Sequence, residues 1–161
     1  MAQRKYRPVG ESYLTEWLGI TYPPGTWRTN VTLGGLTGPG TEGMTEAERR
    51  FVGKPLLPVC DAVVLLPDEV HLIEAKVREE RGKLEQLLLY RYMFPRTPGF
   101  ERHREKKIRT LLLTPKDQGE MEEFLAMYDV EVVYYRPAWI QEYLGTLRPF
   151  ERRGTLSSVR F

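Results

Sequence analysis

The sequence predicts an α/β fold in which a mixed central sheet is flanked by helices. Two adjacent runs rich in Val, Leu and Ile, at 59–66 and 69–77, have the composition of buried strands and are separated by Pro67-Asp68. Further along the chain, apolar strand-like runs alternate with amphipathic segments, as in sheets that are covered by helices. With 41% hydrophobic and 29% charged residues, the chain has the composition of a globular protein.

Length and composition limit the class of protein. At 161 residues the chain is expected to form a single domain over 1–161, and no apolar run approaches the roughly 18 residues of a membrane span. The lone Cys60 excludes an internal disulfide framework, which favours a cytoplasmic protein, and it is expected to be a small core residue. The net charge of +2 is too small to indicate a nucleic-acid partner by itself, and the scarcity of amides suggests a thermophilic source.

The first predicted element is an amphipathic helix over 11–18, after a basic lead at 1–9. Its apolar stripe ends at Gly19 and consists of Tyr13, Leu14, Trp17 and Leu18. Glu11 borders this stripe, which leaves two interpretations open. It either faces a functional site or provides the acidic first turn that favours the helix dipole.

A Gly/Pro-rich insertion is predicted over about 20–58. Within it, 27–33 has the alternation of a strand, and 45–51 has the capping-box pattern of a short helix, with Thr45 before it and Glu48 three residues on. The glycine-rich run at 34–40 lacks the Gly-Lys-Ser/Thr ending of a phosphate loop and opens no helix, which excludes nucleotide binding. We expect a mobile surface loop there.

The two central strands place charged residues in buried positions. If Pro67-Asp68 forms a two-residue hairpin turn, Ala62 pairs with Ile73, and Asp61 lies directly opposite Glu74. A three-residue loop would shift this register by one residue, because Pro-Asp suits a type I turn better than the primed hairpin turns. Strand alternation places Lys76 on the same face as Glu74.

After the hairpin, we expect a helix over 78–94 whose core face consists of Leu84, Leu87, Leu88 and Tyr92. Gln86 and Tyr90 share a different face of it. A loop at 95–107, a strand at 108–114, a helix at 118–128, a strand at 130–135 and a helix at 138–147 follow, then an extended basic tail at 148–161. The helix at 118–128 should bury Met121, Phe124, Leu125 and Tyr128. The loop is the densest positive stretch, and it either contacts phosphate or is a solvated surface; its basic residues are Arg96, Arg102, Arg104, Lys106 and Lys107.

Two facing carboxylates and a lysine suit phosphodiester hydrolysis. Asp61 and Glu74 offer hard oxygen ligands for Mg²⁺ or Mn²⁺, and the Ala75 carbonyl could add a third. Lys76 could orient the attacking water or meet the phosphate. The alternative is a partly buried ion cluster with a structural role, which is a costly arrangement for stability alone.

Asp61, twelve intervening residues and then Glu74-Ala75-Lys76 resemble the Asp…Glu-x-Lys signature of the PD-(D/E)XK nuclease superfamily. Glu11 on a preceding helix and Gln86-x-x-x-Tyr90 on a following one are similar to further marks of the RecB-like and Cas4-like branch. The resemblance covers roughly 8–114. The chain departs from the pattern in having Cys60 rather than proline before Asp61, and in its long insertion between the first helix and Asp61.

The resemblance implies a restriction-endonuclease-like core of order αβββαβ with C-terminal additions. It also implies a Mg²⁺-dependent deoxyribonuclease acting in DNA processing, recombination, repair or phage DNA metabolism. Glu11 would be an outer or second-metal ligand, and Gln86 and Tyr90 would position substrate or a metal-bound water. The alternative is a catalytically silent relative that binds DNA or serves in virion assembly. A homo-oligomer or a larger nucleoprotein or phage assembly is left open.

Overall fold

The computed structural model describes residues 8–35, 41–53, 57–78 and 83–147. The predicted tail at 148–161, the basic lead before residue 8 and the glycine-rich run beyond Gly35 lie outside these residues. Helices and strands follow in the order α1 (Val9–Thr21), β1 (Trp27–Thr32), α2 (Glu46–Gly53), β2 (Val59–Leu65), β3 (Glu69–Ala75), α3 (Lys83–Met93), β4 (Lys107–Thr114), α4 (Glu120–Ala126), β5 (Val130–Tyr134) and α5 (Ala138–Thr146).

The strands form one five-stranded mixed sheet in the order β1-β2-β3-β4-β5. β1, β2 and β3 pair antiparallel, whereas β3, β4 and β5 run parallel and are joined by helical crossovers. We call the end of the sheet at which these three parallel strands finish the carboxyl end, and the other the amino end. Helices cover both faces, so the α/β class predicted from the sequence is confirmed.

Each face of the sheet has its own apolar core, because alternate residues of a strand point to opposite faces. On one face Leu72 and Leu112 pack with Leu87 of α3 and Leu125 of α4. On the other face the partners come from α1 and α5, and the buried side chains include Leu14, Leu18, Ile73, Leu113 and Ile140. We call these the α3 face and the α1 face. No helix in the described part of the chain is both long enough and apolar enough to cross a membrane.

The predicted end of α1 at Gly19 is wrong, because the helix continues to Thr21. A single glycine weakens a helix by only about 1 kcal/mol, and α1 is held by contacts on both sides of Gly19. Trp17 before it packs edge-on against Tyr22 after it. The helix ends where Pro23 and Pro24 follow, since proline disfavours a helical conformation of the residue before it. The predicted stripe of α1 is buried as expected.

The capping box before α2 is confirmed. The Glu48 amide donates to the Thr45 hydroxyl (3.2 Å), and the Thr45 amide donates to the Glu48 carboxylate (2.7 Å). The expectation of a mobile surface loop is wrong at its first residue. Gly34 is buried and donates its N–H to the Thr97 hydroxyl at 2.7 Å. Gly34 has a positive φ of 82°, a backbone conformation that favours glycine, and a Cβ there would meet the flexible end of the Met93 side chain.

Two predicted core stripes are wrong in part. On α3, Tyr92 is 59% exposed, and the buried positions are Leu87 and Tyr90. Of the predicted stripe at 118–128, Leu125 is buried, whereas Met121 and Phe124 on α4 and Tyr128 beyond its end are exposed. The stripe on α4 is narrower than predicted because this helix spans only seven residues and buries only Leu125.

Candidate functional site

The β2–β3 hairpin has the two-residue turn that brings Asp61 opposite Glu74. The Leu66 amide donates to the Glu69 carbonyl at 2.9 Å across Pro67-Asp68. Ala62 pairs with Ile73, as the sequence predicted, and the register shifted by one residue does not occur. Continuing this register by one residue places Asp61 and Glu74 side by side at the carboxyl end of the sheet.

The β2–β3 ladder stops at this point. Its last pair toward the carboxyl end is Ala62 with Ile73. In a continuous ladder the Ala75 N–H would donate to the backbone of β2. It donates instead to Oδ2 of Asp61 at 2.8 Å. The Asp61 carboxylate therefore takes the place of a backbone acceptor between the two strands.

Glu74 is buried, with 2% of its surface exposed. Lys76 Nζ lies 2.6 Å from Glu74 Oε1, and the Tyr90 hydroxyl lies 2.8 Å from Glu74 Oε2. The same hydroxyl lies 2.9 Å from the Val59 carbonyl at the start of β2. Tyr90 thus ties α3 to both strands of the site. It belongs to the α3-face core as well, a double role that the sequence-based assignment of Tyr90 to a separate face missed.

Burial, and after it the negative charge of Glu74, raise the pKa of the Asp61 carboxyl from 3.8 to about 6, against the opposing influence of the Ala75 N–H and Lys76. Desolvation and a like charge are the two causes that raise a carboxyl pKa. The Lys76 ammonium group therefore interacts electrostatically with both Glu74 and Asp61.

Glu11 and Gln86 are both exposed, in contrast to buried Glu74. Gln86 is exposed on α3, one turn before Tyr90. Glu11 is exposed in the first turn of α1. The Tyr13 hydroxyl of α1 donates to the Tyr135 carbonyl just beyond β5, which places this end of α1 at the carboxyl end of the sheet but on the α1 face. Over the described ranges, no three His, Cys, Asp or Glu side chains gather into one group. A metal role for Glu11 stays a prediction.

The donor set suits a hard divalent cation. Asp61 and Glu74 present carboxylate oxygens, the ligands that Mg²⁺ and Mn²⁺ prefer. Each carboxylate accepts about four hydrogen bonds or metal bonds, so the contacts of Glu74 to Lys76 and Tyr90 leave lone pairs for a cation. A cation between the two groups would also remove the like-charge repulsion. The Ala75 carbonyl stays a predicted third ligand.

The basic loop extends from one end of the sheet to the other. Near its beginning, Thr97 contacts Gly34 beyond β1. Near its end, Lys106 Nζ bonds the Leu66 carbonyl at the hairpin turn (2.7 Å), and Lys107 pairs with Glu69 at the amino end. The last two lysines are therefore at the end of the sheet away from Glu74, so they do not lead into the site. Arg96 stacks on Tyr92, 3.9 Å from the ring centre, and Arg102 and Arg104 are exposed.

Basic side chains that are dispersed in the sequence meet at the carboxyl end. β3 is followed by Lys76 and Arg78, β4 by Lys116, and β5 by Arg136. Arg78 bonds the Tyr143 hydroxyl (2.5 Å), and Arg136 bonds the Pro115 carbonyl (2.8 Å) and lies over the ring of Tyr134. The sequence reasoning predicted Lys76 but missed Arg78, Lys116 and Arg136. The available signal was position, because a basic residue follows each predicted parallel strand within three residues.

The chain matches no protein-family model, no curated protein and no solved structure.

Proposed function

We propose that this protein is a metal-dependent nuclease that hydrolyses phosphodiester bonds in DNA. The observation that carries the proposal is the carboxylate pair of half-buried Asp61 and buried Glu74, with Lys76 Nζ 2.6 Å from Glu74 Oε1. Such a pair destabilises a fold in the absence of a cation, because burial and like charge both disfavour ionisation. Perturbed carboxyl groups of this kind are concentrated at functional sites.

The side chains divide the work as follows. Asp61 and Glu74 would hold a Mg²⁺ ion, which supplies Lewis acidity and lowers the pKa of a bound water. Tyr90 fixes one oxygen of Glu74, and the Ala75 amide fixes one oxygen of Asp61, so both carboxylates are oriented before substrate arrives. Lys76 carries positive charge next to the position where negative charge develops on the phosphate.

Two further features support DNA as the substrate and a restriction-endonuclease-like core. Lys116, Arg136 and Arg78 lie at the same end of the sheet as the carboxylates, where phosphates flanking the scissile bond would pass. The two patterns that resemble the PD-(D/E)XK superfamily are also in contact, since Tyr90 of the Gln-x-x-x-Tyr pattern bonds Glu74 of the Glu-x-Lys pattern. Processing of recombining, damaged or phage DNA is the setting that this likeness supports.

The test is a cleavage panel. Linear duplex, circular single-stranded and branched DNA, and a matched RNA, are incubated with the protein in Mg²⁺, in Mn²⁺ and in chelator. We expect cleavage of at least one DNA substrate that depends on the cation and is abolished in Asp61→Asn. Cleavage that persists in chelator, or in Asp61→Asn, would overturn the proposed site.

A second candidate is a catalytically silent nuclease fold that binds DNA or joins a virion assembly. The observation that favours it is that Lys76 and Tyr90 already bond both oxygens of Glu74. Each oxygen of Glu74 therefore has a hydrogen-bonding partner in the protein itself, as in an ion cluster with a structural role. DNA binding with no cleavage in any cation, and no Mn²⁺ binding by calorimetry, would select this candidate.

A further inference from the structure

Asn30 in β1 has a backbone conformation that strands rarely contain. Its φ is 53°, which makes it one of two non-glycine residues with positive φ in the described part of the chain. It is also the only asparagine in the sequence. β1 pairs Thr29 with Ala62 and Val31 with Cys60, so Asn30 is in register with Asp61, and the bridge between these two is missing from the ladder.

The alternation of side chains along β1 and β2 reverses at this pair, so that residues on its two sides pack on different faces of the sheet. On the amino side of it, Trp27 and Ala62 pack on the α1 face. Strict alternation would send Val31, Leu33 and Cys60 to the same face, yet all three pack on the α3 face. The ends of β1 and β2 beyond Asn30 and Asp61 therefore turn together toward α3 as a two-stranded ribbon.

Contacts beyond the bend hold the ribbon against α3. The Leu33 amide donates to the Pro58 carbonyl at 2.9 Å, which keeps the two strands together. The Tyr90 hydroxyl contacts the Val59 carbonyl, and Gly34 bonds Thr97 after α3. As the ribbon leaves the plane of the sheet, the part of β2 that precedes Ala62 separates from β3. The Asp61 carboxylate occupies the opening.

We propose that Asn30 is a positioning residue whose left-handed backbone makes this bend and thereby sets the Asp61 carboxylate beside Glu74. The catalytic consequence rests on the proposed function, whereas the geometric claim does not. Asn is the non-glycine residue that, with Asp, tolerates this conformation. Backbone strain of this kind is concentrated at functional sites, where surrounding structure holds it in place.

The test compares two substitutions at Asn30 that separate backbone from side chain. Asn30→Gly keeps access to positive φ, whereas Asn30→Val strongly disfavours it, because a β-branched residue is an outlier there. Hydrogen exchange of the Ala75 amide reports the bond to Asp61 without any activity, and calorimetry with Mn²⁺ reports the carboxylate pair. We expect Asn30→Val to speed Ala75 exchange and to weaken Mn²⁺ binding, each by about tenfold. Asn30→Gly should stay close to the parent protein in both.

The matched control is Asp129, the other non-glycine residue with positive φ among the described residues, which lies in the turn before β5 with its side chain 92% exposed. Asp129→Val introduces the same backbone conflict away from the site. It should lower stability while leaving Ala75 exchange and Mn²⁺ binding unchanged relative to the parent protein.

Three outcomes would overturn the proposal: unchanged Ala75 exchange in Asn30→Val, an equal acceleration in Asp129→Val, or the same impairment in Asn30→Gly as in Asn30→Val. If Asn30→Val does not fold, parent-like Ala75 exchange and Mn²⁺ binding in Asn30→Gly support the positioning role of the bend at Asn30, and impairment of both refutes it. If Ala75 exchange is faster in Asn30→Val but the parent protein cleaves no DNA, the bend at Asn30 is supported and the proposed function is refuted.

Discussion

The two ends of the sheet each carry a charged cluster, and the clusters have opposite electrostatics. At the amino end, Glu69 bonds His71 (2.9 Å) and Arg109 (3.4 Å), and Arg109 also bonds Glu131. The hydrogen bond from His71 is the main cause that holds the pKa of Glu69 below its usual value. At the carboxyl end, burial and Glu74 raise the pKa of Asp61 to about 6.

The difference separates charges that add stability from charges that cost it. The amino-end cluster favours the ionised form of Glu69 and so adds stability at neutral pH. The carboxyl-end cluster disfavours the ionised form of Asp61 and so subtracts stability, which a bound cation or substrate would restore. Carboxyl groups perturbed in this way are concentrated at functional sites. Five predictions test this contrast.

The largest effect is expected on cleavage. Replacing Glu74 by Gln removes a charged oxygen ligand, and we expect the cleavage rate to fall by about a hundredfold or more, the magnitude of removing one transition-state interaction. Glu69→Gln, the same change at the amino end, should keep the rate within about twofold, because surface substitutions away from a site have small effects. Initial rates on the preferred DNA measure both. Equal reductions would show that the clusters do not differ in function.

The second effect is on stability and has opposite signs at the two ends. In chelator at pH 7.5, Asp61→Asn should raise the free energy of unfolding by about 1–3 kcal/mol, because a pKa of about 6 in place of 3.8 penalises the ionised carboxyl. The amide oxygen can still accept from Ala75 N–H. Glu69→Gln should lower stability. Urea unfolding measures both changes, and a decrease in Asp61→Asn would contradict the raised pKa.

The pH dependence of stability follows from the shifted pKa values of Asp61 and Glu69. Because the pKa of Asp61 is raised in the folded state, its ionisation does not lower the free energy of unfolding below about pH 4. That free energy then decreases as the pH rises toward 6. The depressed pKa of Glu69 contributes in the opposite sense, with stability decreasing as the pH falls. Asp61→Asn should therefore flatten the decline between pH 4 and 6 when urea unfolding is repeated across this range. A decline that is unchanged in Asp61→Asn would show that Asp61 is not the titrating group.

The next effect in size concerns α3. Tyr90→Phe removes the hydroxyl that bonds Glu74 and Val59, and it should cost about 1 kcal/mol of stability, the net value of a buried hydrogen bond. Gln86→Ala, one turn earlier and exposed, should leave stability unchanged within about 0.5 kcal/mol. If Gln86 positions substrate, its variant still cleaves more slowly. A destabilisation in Gln86→Ala as large as that in Tyr90→Phe would contradict the placement.

The smallest effect is expected on the salt dependence of DNA affinity, measured for variants of two basic regions. DNA affinity in Ca²⁺, measured at several salt concentrations, gives the slope of log affinity against log salt. The double variant Lys116→Ala with Arg136→Ala should flatten this slope by up to about 0.9 for each phosphate of duplex DNA that the protein no longer neutralises. Arg102→Ala with Lys106→Ala in the 96–107 loop should change it less. The reverse order would restore the sequence-based expectation that the loop binds the phosphates.

The sequence alone determined the features that depend on local chemistry. Alternation of Val, Leu and Ile located the strands, and Pro67-Asp68 with the facing carboxylates indicated the hairpin register, since side-chain period and turn length leave few alternatives. The capping box at Thr45 and Glu48 was equally local. Asp61, Glu74 and Lys76 were predicted together because all three depend on one hairpin.

The tertiary structure decided everything that depends on contacts distant in sequence. It placed Tyr90 in both the core and the site, because α3 crosses the sheet where β2 and β3 separate, and no periodicity within α3 contains that crossing. It moved the candidate phosphate-binding residues from a contiguous loop to Lys116 and Arg136, since parallel strands bring their carboxyl ends together regardless of separation along the chain. The bend at Asn30 is also visible only in the tertiary structure, because positive φ is uncommon even for asparagine, so that a single asparagine in a strand pattern does not predict it.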